Sequence, residues 1–421
     1  MYTDAHRLVW HARLIRSLLA IPAFREYSLS RLGGGIGNSL LQALILWQVF
    51  AISGSALSLA IVGLVGFLAT LASSLLGGVV VDAYDRRTVL IGSQIVPILG
   101  SLGMLAAIHT DRVSLELIYA LVLVTGLAQS FESPARQAIL PAIVPRWQFS
   151  RALTMNSAVS SFTSITGPAL GGILIATAGI GATYAAHVAL VLLSLLALLP
   201  LRLPAHRGGA RIEVAAIREG LAFVWHRPVL LGAMTLDMFA VLFGGARALL
   251  PVYATQVLQT GAVGYGLLSA SIEVGTLIMA LVLVVLPPPT NTGRVLLASV
   301  AAFGLATIVF GASASLPLSI VAYAFVGMAD QVSMVMRHNT IQLNTPDALR
   351  GRVTAVSSVF ISASNELGAL ESGLVAAVAG AVFAVVSGGI ACVGVVGLIT
   401  WRIPSLRRYQ HKSSFADSAA G

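Results

Sequence analysis

The chain has 421 residues, 57% of them hydrophobic and only 10% charged, with 25 Lys and Arg against 16 Asp and Glu. An ordinary soluble domain carries about 25% charged residues, so a water-borne fold of this length is excluded. The net charge of +9 reads as the topological bias of a membrane protein, not as a nucleic-acid footprint.

Apolar runs of about 20 residues recur along the whole chain, each long enough to cross a hydrocarbon core about 30 Å thick. Inside lipid every backbone polar group needs an internal partner, so such runs imply helices. The short alternating segments of a strand barrel do not appear. Twelve spans are expected, near 28–50, 57–80, 88–108, 115–138, 152–178, 184–203, 228–255, 265–286, 294–312, 316–338, 354–378 and 380–401.

The first 26 residues hold Arg7, Arg13, Arg16 and Arg25. Arg13 and Arg16 interrupt the apolar stretch that a cleaved signal peptide needs, so a segment on the cytoplasmic membrane surface is expected. Of the 25 basic residues, only Arg112 falls in a connection on the far side, and Arg247 lies within a span. Both termini are therefore expected in the cytoplasm. The expected division is a cytoplasmic segment 1–26, a six-helix bundle 27–203, a cytoplasmic linker 204–227, a second bundle 228–402 and a tail 403–421, disordered beyond about Tyr409.

After the second span the chain reads GGVVVDAYDRRTVL. Glycine lets helices approach closely, Asp82 can face a helix N-terminus, and Arg86 and Arg87 suit the lipid interface. The fourth span ends in FESPARQAILPAIVP, where Pro134 breaks the backbone ladder and Arg136 can snorkel to water. The fifth carries GPALGG (Gly167, Pro168, Gly171 and Gly172), a pattern for a kinked, tightly packed helix.

These motifs resemble those of the major facilitator superfamily. Gly78, Asp82, Asp85, Arg86 and Arg87 fall on its Gly-x-x-x-Asp loop motif, with Ala83 replacing the usual Arg and Asp85 the usual second Gly. The Asp-Arg-Arg form, with Phe131, Pro134, Ala135, Arg136, Ala138 and Pro141, is similar to a branch containing enterobactin exporters and macrolide efflux pumps. GPALGG resembles the superfamily's antiporter motif, found mainly in exporters. The superfamily's fourth-span Arg has no counterpart within Tyr119–Gln129. The resemblance spans roughly residues 25–405. It implies a loop that latches the two halves, alternating access, proton-coupled export of a siderophore, macrolide or other small amphipathic molecule, and a bacterial inner-membrane location.

The chain also matches itself. At an offset of 201, Gly126–Gly179 falls on Gly327–Gly380 without a gap. Gly126 meets Gly327, Arg136 meets Arg337, Pro145 meets Pro346 and Arg151 meets Arg352; Gly167, Gly172 and Gly179 meet Gly368, Gly373 and Gly380. Two apolar halves in the same direction suggest a transporter that rocks one bundle against the other.

Charge within apolar spans is expensive and marks function. Acids fall there at Glu132, Asp237, Glu273, Asp330, Glu366 and Glu371. Arg247 lies 13 residues before the turn near Thr260 and Glu273 lies 13 after, so the two share a depth and are expected to pair. Asp330 lies 17 residues before the turn near Asp347 and Glu366 lies 19 after. Two acids at one depth in low dielectric are candidates for carrying a proton; satisfied polar contacts with Ser364, Asn365 or backbone are the alternative. Glu371 stands roughly 140° round the helix from Glu366. Arg337, two turns from Asp330, can face the cytoplasmic vestibule. Asp237 and Glu132 complete the candidates for coupling or substrate contact.

No Gly-rich phosphate loop ends in Lys-Ser or Lys-Thr, which argues against ATP drive. The single Cys392 has no metal-binding company, and no catalytic site, metal or cofactor is expected. The expectation is an all-α membrane protein, monomeric, whose partners are a small-molecule substrate, protons and the bilayer. An uptake symporter or facilitator, a lysophospholipid transporter on the same fold, and a non-transporting sensor are the rival readings.

Overall fold

The computed structural model describes residues 18–83, 85–201, 203, 214–286 and 289–410. Residues 1–17, most of the expected surface segment, and 411–421, most of the expected tail, lie outside it, as do 204–213 of the linker.

Six long helices precede the linker: α1 (Pro22–Ser53), α2 (Ala56–Ala83), α3 (Arg86–His109), α4 (Leu115–Ile143), α5 (Phe149–Thr177) and α6 (Gly179–Leu198). Six follow it: α7 (Pro228–Val257), α8 (Gly261–Val285), α9 (Thr292–Ala312), α10 (Leu316–Leu343), α11 (Asp347–Ala379) and α12 (Ala381–Arg402). Among the described residues, eleven helices are long and apolar enough to cross a membrane. The remaining expected span is α2, whose described apolar stretch is Ala56–Ala72. The protein is thus an all-α, multi-pass membrane protein. Helix α1 starts at Pro22, earlier than its apolar run, because Phe24 and Tyr27 bury themselves with Leu90, Ile139 and Leu198.

Local chemistry sets the ends. Asp85 caps α3, its carboxylate accepting from the backbone N–H groups of Arg87 at 2.9 Å and Thr88 at 3.1 Å. Gly179 and Gly380, partners in the repeat, separate α5 from α6 and α11 from α12 with φ of 84° and 88°. A side chain would be strained at either position.

Contacts divide the chain into two compact units, Met1–Ile45 with Ala69–Arg211, and Leu46–Leu68 with Ile212–Gly421. By chain order 46–68 belongs to the first half, but it groups with the second unit because Gly63 and Gly66 of α2 admit α11 closely. The units share an internal plan. In the first, α3 packs against α4 and α6; in the second, α9 packs against α10 and α12. A Cβ on Gly167 of α5 would meet Ser39 Cβ at 2.5 Å and the Leu40 amide at 2.9 Å on α1. A Cβ on its repeat partner, Gly368 of α11, would meet the Val241 carbonyl at 2.7 Å on α7. Leu40 and Val241 are themselves one repeat apart.

Helix α7 is interrupted. Its regular part ends at Phe243, Gly244 caps it, and a 3₁₀ turn, Ala246–Leu249, and a π turn, Tyr253–Val257, follow. Gly244 and Gly245 lie against Phe303 and the backbone of Gly368, where a side chain has no room. The break puts Arg247 where the helix has lost its regular ladder.

Candidate functional site: charged groups within the apolar helices

In the first unit a polar cavity of about 220 Å³ is lined by α1, α4 and α5. Glu132 and Arg136, one turn apart on α4, pair along its wall, Arg136 Nε donating to Glu132 Oε1 at 2.6 Å. They are 8% and 4% exposed, so Arg136 does not snorkel to water as its place at a helix end suggested. A carboxylate at i−4 lies closer than the interface. The Arg136 Nη atoms donate to Ser30 Oγ at 3.4 and 3.5 Å, and Asn38 Nδ2 donates to Glu132 Oε2 at 3.4 Å. Arg31 enters the same cavity from α1 and donates to Ser160 Oγ at 3.2 Å. Sequence reasoning passed over Arg31 because a base near the start of a span looks like positive-inside charge.

In the second unit, Asp237 of α7 forms an ion pair with Arg337 of α10, both 6% exposed. This corrects the expectation that Arg337 faces an aqueous vestibule. A guanidinium this deep requires a counter-charge, and Asp237 supplies it. Arg136 and Arg337 are repeat partners, and each reaches the first helix of its own half, at Ser30 and Asp237 respectively.

Arg247 Nη2 donates to Glu273 Oε1 at 2.6 Å, joining the break in α7 to α8. Asp330 and Tyr323 of α10 lie near this pair, but Asp330 makes no ion pair or hydrogen bond with it among the described residues.

Asp330 and Glu366 are not joined by an ion pair or hydrogen bond among the described residues. Equal distance from a turn sets depth but not azimuth, and the Glu366 carboxylate packs instead against Gly66 of α2, where a Cβ would overlap it. Ser372 donates to Glu371 at 3.3 Å. The side chains of Ser364 and Asn365 turn back to the carbonyls of Phe360 and Ile361, at 2.6 and 3.0 Å.

In the loop motif, the surroundings of Gly78 and the side chain of Asp82 lie outside what the structure describes. Arg86 donates to the Ala138 carbonyl on α4 at 3.0 Å. Arg87 donates to the Leu198 carbonyl at 3.2 Å and to that of Leu199, at the C-terminal end of α6. Guanidinium groups at orphan carbonyls satisfy helix C-termini. In the antiporter-like motif, Gly167, Pro168, Gly171 and Gly172 are all buried in α5, with Gly167 and Gly171 facing α1.

Long apolar helices in two units of one internal plan, with ion pairs buried among them, define a membrane transporter of the twelve-helix kind. The crystal structure of a D-xylose–proton symporter shares this fold, with a TM-score of 0.72 at 14% identity over 93% of this chain and 99% of that one. The family described as "Transmembrane secretion effector" matches residues 17–418, so the chain belongs to that branch of the major facilitator superfamily. The multidrug efflux pump Tap of Mycolicibacterium fortuitum is 31% identical over 392 residues, covering 89% of this chain and 95% of the relative. The enterobactin exporter EntS of Citrobacter koseri is 27% identical over 405 residues, covering 94% and 96%.

Proposed function

We propose that the protein is a secondary active exporter of a small amphipathic molecule, siderophore or drug-like, working as a monomer in the bacterial inner membrane by alternating access and proton antiport. Its bundles are taken as 27–203 and 228–402, with both termini cytoplasmic. The observation that carries the reading is the Arg247–Glu273 ion pair at the break in α7, with a second carboxylate, Asp330 of α10, close enough to feel its charge. A surplus carboxylate in low dielectric is relieved by a proton, and a proton that binds and leaves with conformation is the coupling step. Asp330 is assigned that role, and Glu366, whose carboxylate packs against Gly66 of α2, is the second candidate. Asp237–Arg337 is assigned to holding α7 to α10, and Glu132 and Arg136, through Asn38 and Ser30, to holding α4 to α1.

The loop from Gly78 to Arg87 is assigned to stabilising the outward-open state as a latch, with Arg86 and Arg87 bracing the start of α3. GPALGG, with its glycines against α1, supports export over uptake. The names of the two relatives support a drug-like or siderophore cargo. The test is accumulation of a fluorescent amphipathic probe in inside-out vesicles from cells expressing the chain, driven by an acid interior. Accumulation lost in Asp330→Asn supports antiport. Co-movement of probe with protons would instead make it a symporter, and altered lipid composition on deletion without altered secretion would make it a lipid transporter.

A further inference from the structure

The cavity in the first unit has an unbalanced charge. Arg136 is spent: Nε is on Glu132 and both Nη atoms are on Ser30. Glu132 is likewise engaged, by Arg136 and Asn38. Arg31 is different. Among the described residues no carboxylate lies within ion-pair distance of it, its one hydrogen bond goes to a neutral hydroxyl, and its Nε is buried without a partner. It stands near the start of the apolar run of α1 and is half-buried, facing the cavity from that end. Around it the lining is hydroxyl and amide: Ser39, Ser133, Ser160, Thr163, Asn38 and Gln129. Its Nε is shut off from the cavity, so the end of the guanidinium, Nη1 with the remaining N–H of Nη2, is what fits a planar or tetrahedral oxyanion through paired charge-assisted hydrogen bonds. Two guanidinium groups against one carboxylate leave room for one further negative charge.

The volume narrows the occupant. About 220 Å³ is several times the roughly 30 Å³ share of a liquid water molecule. It seats an ionic head group with a few atoms of its neighbour, while a larger body must extend beyond it. We propose that this cavity binds the oxyanion of an amphipathic cargo, a carboxylate or phosphate group, with Arg31 as its counter-charge. The assignment rests on the export reading for the identity of the occupant as cargo, but the charge preference stands independently of transport direction.

The test uses the full-length protein in detergent and two probes that differ only in charge, a coumarin-3-carboxylic acid and its carboxamide. Binding is read by fluorescence anisotropy. The acid is expected to bind about tenfold tighter than the amide or better, as a charge-assisted pair requires. In Arg31→Gln that preference falls to within about twofold, while Arg31→Lys, which keeps the charge without the fork, retains part of it. Arg112→Gln, in the α3–α4 connection, keeps the full preference. Should Arg31→Gln fail to fold, Arg31→Lys carries the test alone, and a preference undiminished from the native protein overturns the proposal.

Equal binding of acid and amide to the native protein overturns the proposal, and so does a preference that survives in Arg31→Gln. A second arm repeats the measurement in nanodiscs. If phosphatidylglycerol discs abolish acid binding and phosphatidylcholine discs preserve it, the occupant is a lipid head group and the cargo assignment falls. Failure of export itself has a separate signature: the acid binds with its preference intact but never accumulates in inside-out vesicles.

Discussion

Single residues carry the energetics most directly at the Asp237–Arg337 pair. Both groups are almost wholly removed from solvent, so removing one leaves the other charged and alone. Asp237→Asn or Arg337→Gln should each destabilise by about 3–5 kcal/mol, and the double change by clearly less than their sum. Thermal unfolding of the three variants checks this, and additive losses would show that the pair is not coupled. The same residues show what spacing can and cannot reveal. Arg247 and Glu273 flank one turn at equal distances, and they meet in the structure. Glu132 and Arg136 also stand at i, i+4 on one helix face, but the place of Arg136 near a helix end pointed to water instead of to its neighbour. Asp237 and Arg337 share no turn, so nothing local links them. Arg31 escaped notice because it stands near the start of its apolar run, where a base reads as a flank.

At the scale of elements, close helix approach is the dominant device. Gly167 lets α5 lie on α1, and Gly368 lets α11 lie on α7, at corresponding places in the repeat. Gly167→Val should force these helices apart and lower the yield of monodisperse protein in mild detergent. Unchanged yield and melting temperature would show that the contact is not limiting. Helix α2 meets α11 through Gly63 and Gly66, and the Glu366 carboxylate sits against Gly66. Gly66→Ala should therefore impair transport more than Glu366→Gln impairs folding, a contrast read by flux against thermal stability. Most of the elements were legible, since apolar length and positive-φ glycines punctuate the chain. The interruption of α7 was not. It depends on what Gly244 and Gly245 pack against, on α9 and α11, and a hydropathy pattern cannot show that.

At the scale of the whole molecule, the repeat at offset 201 is the deepest legible feature, for it anticipates two units with the same internal plan. It did not anticipate that 46–68 would group with the second unit, because chain order says nothing of which neighbours a long helix finds along its length. Export by alternating access is the central claim, and direct measurement of driven flux tests it. Purified protein is reconstituted in liposomes of mixed orientation, with impermeant inhibition selecting one population, and a pH gradient is imposed. The account predicts probe movement opposite to the proton flow, reversed in sign when the gradient is reversed and lost in Asp330→Asn. Probe movement that follows the protons, or that ignores the gradient altogether, would contradict it.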